Sequence, residues 1–464
     1  MANSLRILTQ GLAQLRYTVY KLNQALNEDR LTNPPFPAAT RGEIFAWSMY
    51  DFANSGYTTV VLTAVFNTYF VGVIAAGTNV DHSGTATLLW TIALAIANAL
   101  VIISAPILGA IADHSARKKH FLILSSLGCI LFTALLSVPS PGDIALTMVL
   151  VILATFMFST GENLIAAFLP EIAPPEQAGR ISGYGWTVGY LGGMLVLGLC
   201  LWYINAAQAQ GKSATDYVPV CMLIVAACFA LGALPTFLWL RERATPSPYT
   251  PDHLIRAGFQ RLKLTLSHAH RFTDLFRFLV ALTIYHCGVN VVIVLAAVYA
   301  QQVMGFTTTD TIKLILVVNI TAALGALVFG HVQDRLGSVP TLALTLGIWI
   351  VAIVAIYFIE TRAHFWLIAN LIGIALGSSQ SGGRALVSKF SPPQYAAEFF
   401  GLWGLAGKLA AIIGPLSYGG IAYLSQGNHR LAVLSTLVFF VVGLITLLTI
   451  NEQRGKQAAQ NYAT

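Results

Sequence analysis

The chain has 464 residues, of which 56% are hydrophobic and only 10% charged, with a formal net charge of +7. A soluble domain carries about 25% charged residues, so this composition excludes an ordinary soluble protein and points to a polytopic membrane protein. The positive charge is concentrated in the N-terminal arm, at Arg117-Lys118-Lys119 and between Arg241 and Arg277, which is a positive-inside topology signal rather than a nucleic-acid-binding one.

Before Pro34, Leu5, Leu8, Leu12, Leu15, Val19, Leu22 and Leu26 recur every three or four residues, with Arg6, Arg16 and Lys21 between them. That period predicts an amphipathic helix over 1–33, lying on the cytoplasmic membrane surface, with a coiled-coil contact as the alternative. Pro34, Pro35 and Pro37 end it. The first long apolar run comes too late, and is too long, for a cleavable signal peptide.

That run opens on Trp47-Ser48-Met49-Tyr50-Asp51-Phe52-Ala53-Asn54-Ser55-Gly56-Tyr57. A helix needs about 20 residues to cross a bilayer, which places Asp51 roughly two turns inside. A carboxylate there needs hydration or a partner. On a helix Asp51, Asn54, Ser55 and Thr58 share one face, which should meet a polar partner or a water-filled path.

Twelve spans are predicted, at about 44–74, 86–112, 120–138, 144–169, 182–204, 218–240, 276–301, 311–333, 339–359, 364–387, 399–424 and 430–450. With the N-terminus inside, the external loops hold only Lys212, Lys313, Arg362 and Arg430, and Lys408 falls within a span. Both termini are therefore expected in the cytoplasm. The longest loop splits the spans six and six, giving a bundle over 44–240, a cytoplasmic linker over 241–275, a second bundle over 276–450 and a cytoplasmic tail over 451–464. The linker carries a basic amphipathic stretch around Leu254, Phe259 and Leu262, read as a surface helix. All five cysteines (Cys129, Cys200, Cys221, Cys228, Cys287) lie in apolar runs without metal spacing and are read as packed thiols.

The two halves repeat each other. Ala173-Pro174-Pro175-Glu176-Gln177-Ala178 resembles Ser391-Pro392-Pro393-Gln394-Tyr395-Ala396, and from there Gly183 matches Gly401 and Gly189 matches Gly407 without a gap. Gly109 to Asp113 matches Gly330 to Asp334, and Tyr50 and Asn54 roughly match Tyr285 and Asn290. The fold class is thus an all-α membrane protein of twelve transmembrane helices in two pseudo-symmetric six-helix bundles, a transporter architecture.

At Gly109-Ala110-Ile111-Ala112-Asp113-His114-Ser115-Ala116-Arg117-Lys118-Lys119 the sequence resembles the major facilitator superfamily, whose pattern here is a Gly, an Asp four residues later, then basic residues. Gly109 would permit close helix approach, and Asp113 would cap a helix N-terminus or pair with Arg117 across the cytoplasmic rim. The second copy keeps Gly330, Asp334, Arg335 and Gly337. The first copy departs from the pattern at His114 and at Ala116, where Gly is usual. The second lacks the trailing basic run, so the first half is expected to carry the stronger cytoplasmic clasp. Within the superfamily the chain looks like the vacuole-effluxer family of autophagy-related amino-acid effluxers and their bacterial relatives. That match rests on Trp47 with Tyr50-Asp51-Phe52-Ala53-Asn54-Ser55 and Tyr57, on Leu169-Pro170-Glu171-Ile172, on Gly179-Arg180-Ile181-Ser182-Gly183 and on Glu398-Phe399-Phe400-Gly401-Leu402. The resemblance covers about 44 to 450 and implies amino-acid efflux, as in the fungal members.

Candidate residues for substrate binding or coupling follow from charge and amide groups inside spans. Asp51 and Glu162, flanked by Asn163, lie at similar depth in spans one and four, and are read as proton-coupling groups or as partners of a substrate amine. The alternative is structural: a hydrogen bond between those spans, or pairing to Arg384 or Lys408. Gln380 and Arg384 in span ten and Lys408 in span eleven supply the opposite sign, for a substrate carboxylate or for a salt bridge between the halves. For Lys408 the gate or helix-pairing role leads. His286 and Asn290 share a face of span seven and with Asn54 suit a zwitterion, although a packed, hydrogen-bonded His286 is the leading alternative. Tyr57 is taken as a cavity-shaping residue.

No metal cluster or Gly-rich phosphate loop is visible in the sequence, so neither an enzyme nor an ATP-driven pump is expected. The expectation is a monomeric secondary carrier for a small solute, embedded in the plasma or bacterial inner membrane, proton-coupled, with no cofactor and no nucleic-acid partner. A lipid-handling or solute-sensing protein on a carrier scaffold, and a passive channel, stand as other classes.

Overall fold

The computed structural model describes residues 39–75, 83–243, 272–426 and 428–462. The expected amphipathic helix over 1–33 and most of the linker over 241–275 lie outside the described residues. In hydrocarbon every backbone N–H and C=O must be paired internally, so long apolar runs become helices. They do so here as α1 (Arg41–Gly56, continued by π-helical turns Tyr57–Ala64 and Phe70–Ile74), α2 (Ser83–Ser115), α3 (Lys118–Leu135), α4 (Ile144–Ala166), α5 (Ala178–Ala209) and α6 (Ala214–Trp239). The second six are α7 (Thr273–Gln302), α8 (Thr308–Leu336), α9 (Ser338–Phe358), α10 (Arg362–Phe390), α11 (Ala396–Leu424) and α12 (His429–Ser435 with Leu437–Leu448). A polar tail helix, α13 (Glu452–Tyr462), follows.

Eleven of the rods are long and apolar enough to cross a membrane by themselves. The twelfth, α10, is long but carries Ser378, Ser379, Gln380, Ser381, Arg384 and Lys389, and these polar groups lower its hydropathy. It is buried along most of this stretch, because Ser381 through Phe390 are all enclosed by neighbouring helices. Lipid-facing positions are apolar and open, as at Ile103, Trp202, Leu231, Phe358 and Leu416. The first span is not the single α-helix expected over 44–74. Its middle is rich in β-branched residues from Thr58 to Thr63, whose crowding disfavours regular α-turns. The turns widen, with Val65 N donating to Val60 O and Thr63 Oγ1 to Thr58 O.

The helices pack in two matching sets. α1 packs on α5 and α6, α2 on α4, and α3 on α4 and α6; α7 packs on α11 and α12, α8 on α10, and α9 on α10 and α12. Two seams join the sets, α2 against α11 and α5 against α8. The sequence repeat is thus a repeat of packing.

One end of the bundle is tied by charge inside each set. After α6, Glu242 accepts from the N–H groups of Lys118 and Lys119 at the start of α3, and Arg243 grips Glu43 with two hydrogen bonds of 2.9 and 3.0 Å. After α12, Glu452 accepts from Ser338 and Val339 N–H at the start of α9, and Arg454 grips Asp274 at the start of α7. Carboxylates at helix N-termini are favoured by the exposed N–H groups and the helix dipole. Each ring ties three helix ends of its set together: α1, α3 and α6 in the first, α7, α9 and α12 in the second.

Candidate functional site

The two seams close on the same end of the bundle, called the clasp face below. Asp113 at the end of α2 accepts from Ala397 N (3.1 Å) and Glu398 N (2.8 Å), the first N–H groups of α11. Asp334 at the end of α8 accepts from Gly179 N (2.8 Å) and Arg180 N (3.0 Å), the first N–H groups of α5. Each carboxylate of one half therefore caps a helix of the other. The backbones meet closely beside each cap: a Cβ at Gly109 would lie 2.1 Å from Ala397 O, and one at Gly330 would lie 2.7 Å from Gly179 O.

Of the two roles open for Asp113, the structure shows the cap, not a pair with Arg117. Arg117 is exposed where the chain turns between α2 and α3. The cation beside Asp113 is Lys118, fully buried, at 3.6 Å and also paired with Glu171. Arg335 is likewise exposed and outside the clasp. The two clasps have like backbone geometry; the first adds the buried Lys118, while Asp334 is only half-buried. Ala116, where the pattern has Gly, adopts φ +49°, and its counterpart Gly337 adopts φ +93°. The turn needs a left-handed residue in both copies, and the first copy meets that need with a strained alanine.

Farther into the bundle lies a second link between the halves. Arg384 Nη1 on α10 meets Asp51 Oδ2 on α1 at 2.8 Å. Arg384 Nε donates to Ser182 Oγ (3.1 Å) and Nη2 to Ser182 O (2.9 Å) on α5. Its guanidinium lies 4.5 Å from the Trp47 ring and 5.4 Å from the Trp186 ring, a cation between two aromatic faces. Gly185 leaves room for the pair, since a Cβ there would lie 2.2 Å from Asp51 Oδ2. Ser182 Oγ donates in turn to Ser381 O, which fastens α5 to α10. Nothing in the local sequence pairs residue 182 with 384. Trp186 and Gly185 carry no signal in the sequence, and Trp47 and Ser182 appear there only within the strings that carry the family resemblance.

The remaining candidates are placed as follows. Glu162 on α4 and Lys408 on α11 are both half-buried, and Glu162 lies within electrostatic reach of Lys408, Asp51 and Arg384. Asn163 and Asn54 are buried, with Nδ2 of the first and Oδ1 of the second lacking a hydrogen-bond partner. His286 is buried against the Tyr285 ring, its Nε2 unpartnered, and its carbonyl accepts from Asn290 Nδ2 at 2.9 Å. Gln380 is half-buried one turn before Arg384. Tyr57 is fully enclosed, bonded to Thr155 Oγ1 and packed on Phe158, so it sits in the α1–α4 contact rather than in a cavity.

Two parallel six-helix sets joined at seams and closed by symmetric clasps at one end define a transporter of the major facilitator class. The solved proton:xylose symporter XylE shares this fold, with a TM-score of 0.71 and 13% identity over 91% of this chain and 98% of that one. So does the human organic anion transporter MFSD10, with a TM-score of 0.68 and 14% identity over 88% of this chain and 99% of that one. The chain belongs to the vacuole effluxer Atg22-like family, whose model matches residues 39–460. An uncharacterized MFS-type transporter of Bacillus subtilis (strain 168), YxiO, is 28% identical over 417 residues, covering 89% of this chain and 96% of the relative. Autophagy-related protein 22 of Coccidioides immitis (strain RS) is 21% identical over 469 residues, covering 83% of this chain and 75% of that protein.

Proposed function

We propose that the protein is a secondary carrier that moves a small zwitterionic solute by alternating access, with proton coupling through Asp51 and Glu162. The observation that carries this reading is the pair of symmetric clasps. Asp113 and Asp334 each hold the first N–H groups of a helix in the opposite half, so one end of the bundle opens only if both clasps release. The rings built on Glu242 and Glu452 support motion of each half as a unit. Basic residues Arg117, Lys119, Arg335 and Lys456 gather at the clasp face, which we read as cytoplasmic by the positive-inside rule, with both termini on that side of a cell membrane. The structure is then the state closed toward the cytoplasm.

Asp51 has a direct part in this scheme. Paired with Arg384 it ties the halves together; protonated, it would lose the charge that holds the guanidinium. Efflux is favoured as the direction by the family's description, and zwitterions by the opposite signs that the two halves present. The test is flux in proteoliposomes. A carrier gives saturable uptake, counterflow of preloaded solute and a response to an imposed pH gradient. Linear flux without counterflow would refute alternating access, and unchanged pH-driven flux in both Asp51→Asn and Glu162→Gln would refute the coupling.

A further inference from the structure

The two oppositely charged pairs that the halves bring together differ in how fully they are used. Arg384 is 3% exposed. One edge of its guanidinium is taken by Ser182 and Nη1 by Asp51, and the Trp47 and Trp186 rings lie 4.5 and 5.4 Å away. A ligand carboxylate would find no free edge to grip in two places. Glu162 and Lys408 are the reverse. They interact through space, yet no ion pair joins them within 4.0 Å and no hydrogen bond engages either side chain among the described residues. Both are half open.

Their position is also informative. α4 runs toward the clasp face and α11 runs away from it. The two helices touch where a Cβ at Gly404 would lie 2.3 Å from Asn163 Oδ1. Lys408 is one turn beyond Gly404 on the side away from the clasps, and Glu162 is next to Asn163 on that same side. A Cβ at Gly407, beside Lys408, would meet nothing within 4 Å. Asn163 Nδ2 is buried there without a partner. The pair therefore stands beside the α4–α11 contact, on the side of it away from the clasps, with the unpartnered Asn163 Nδ2 between.

From this the geometry points to a division of labour: Asp51–Arg384 is the lock between the halves, and Glu162, the second coupling carboxylate, forms the ligand subsite with Lys408, so that proton and ligand ammonium compete for it. Glu162 takes the ammonium and Lys408 the carboxylate of one α-amino acid, which bridges α4 and α11. A solute with a single charge leaves the other side chain without its counter-charge when the halves close over it, and an unpaired buried charge is costly. The subsite thus selects a zwitterion over the corresponding amine or acid. This inference rests on the carrier reading above.

The test uses the full chain in lipid nanodiscs. The probes are L-alanine, L-leucine and L-phenylalanine, each beside its decarboxylated amine and its des-amino acid, measured by thermal shift and calorimetry. At least one amino acid should bind at least tenfold more tightly than its two analogues. Glu162→Gln and Lys408→Met should each weaken that amino acid at least tenfold, and Lys408→Arg should restore most of the loss. Ser182→Ala, which loosens the grip on Arg384, should change the spacing of the halves and leave the preference for the zwitterion over its analogues in place. Equal affinity in Lys408→Met, analogues that bind as well as the amino acid, or no binding of any probe would overturn the inference. Counterflow of other solutes would still decide the carrier reading separately.

Discussion

Replacing Asp113 by Asn removes one charge and one of two acceptor oxygens from the α2–α11 clasp. In the closed state that carboxylate holds two N–H groups at 3.1 and 2.8 Å. A hydrogen bond to a charged group contributes about 1.5–3 kcal/mol, and a charge at a helix N-terminus about 0.3–1 kcal/mol. Asn keeps one neutral bond of about 1 kcal/mol. Over two such bonds, less the one Asn keeps, the closed state should lose roughly 2–6 kcal/mol relative to the open one, in which residue 113 faces water in either form. At 1.4 kcal/mol per factor of ten, the open-to-closed ratio should rise about 30-fold or more. The assay is the distance between spin labels on Glu176→Cys and Arg335→Cys, two exposed positions in opposite halves at the clasp face. Asp113→Asn should add a longer-distance population, Asp334→Asn should do the same, and the double substitution should add more. A distance distribution unchanged in the double variant would refute the role of the clasps in closure.

Three further outcomes follow from the same geometry. Gly109→Ala places a Cβ 2.1 Å from Ala397 O and should open the same seam in the spin-label assay, whereas Gly198→Ala, with nothing within 4 Å, should leave it unchanged. Ala116→Gly should stabilise the protein by up to about 1 kcal/mol by relieving a left-handed alanine, and Gly337→Ala should cost about 1–2 kcal/mol, both read by thermal unfolding. Burial alone would push the Glu452 carboxyl up, but Lys389, Lys456 and the Ser338 N–H outweigh it and hold the group below its ordinary value. Its contribution to stability is then fully present above the unfolded carboxylate range near about 4.3 and fades as pH falls through the lower folded value. The stability gap between wild type and Glu452→Gln should be constant above pH about 5 and should shrink on further acidification; a gap that widens there would contradict the sign.

Much of this protein is written in local patterns. Run length and charge placement gave twelve spans, because a bilayer demands about 20 apolar residues and leaves basic loops on one side. The pairing of Gly109 with Gly330 and of Asp113 with Asp334 exposed the repeat, and the structure places both copies on matching partners, Ala397 and Gly179. The carboxylate Asp51 was legible as a group in need of a partner, since an ion in hydrocarbon cannot stand alone.

Which partner it takes was decided only by tertiary structure. In sequence Arg384 and Lys408 are each a lone cation in a span, with the gate role leading only for Lys408, yet the fold encloses Arg384 by Trp47, Trp186 and Ser182 and leaves Lys408 half open. Tyr57, taken in sequence as a cavity-shaping residue, sits instead in the α1–α4 contact, where its hydroxyl bonds Thr155 and its ring packs on Phe158. Of the two roles open to Asp113 the fold takes the cap, and the cation beside it is the buried Lys118, while Arg117, next to the left-handed turn at Ala116, is exposed. Period and hydropathy describe one helix at a time, so they place a residue in depth and on a face. Partners contributed by a second half two hundred residues away depend on how the helices cross, and that is set by the close approaches at the glycines and by the caps that lock them.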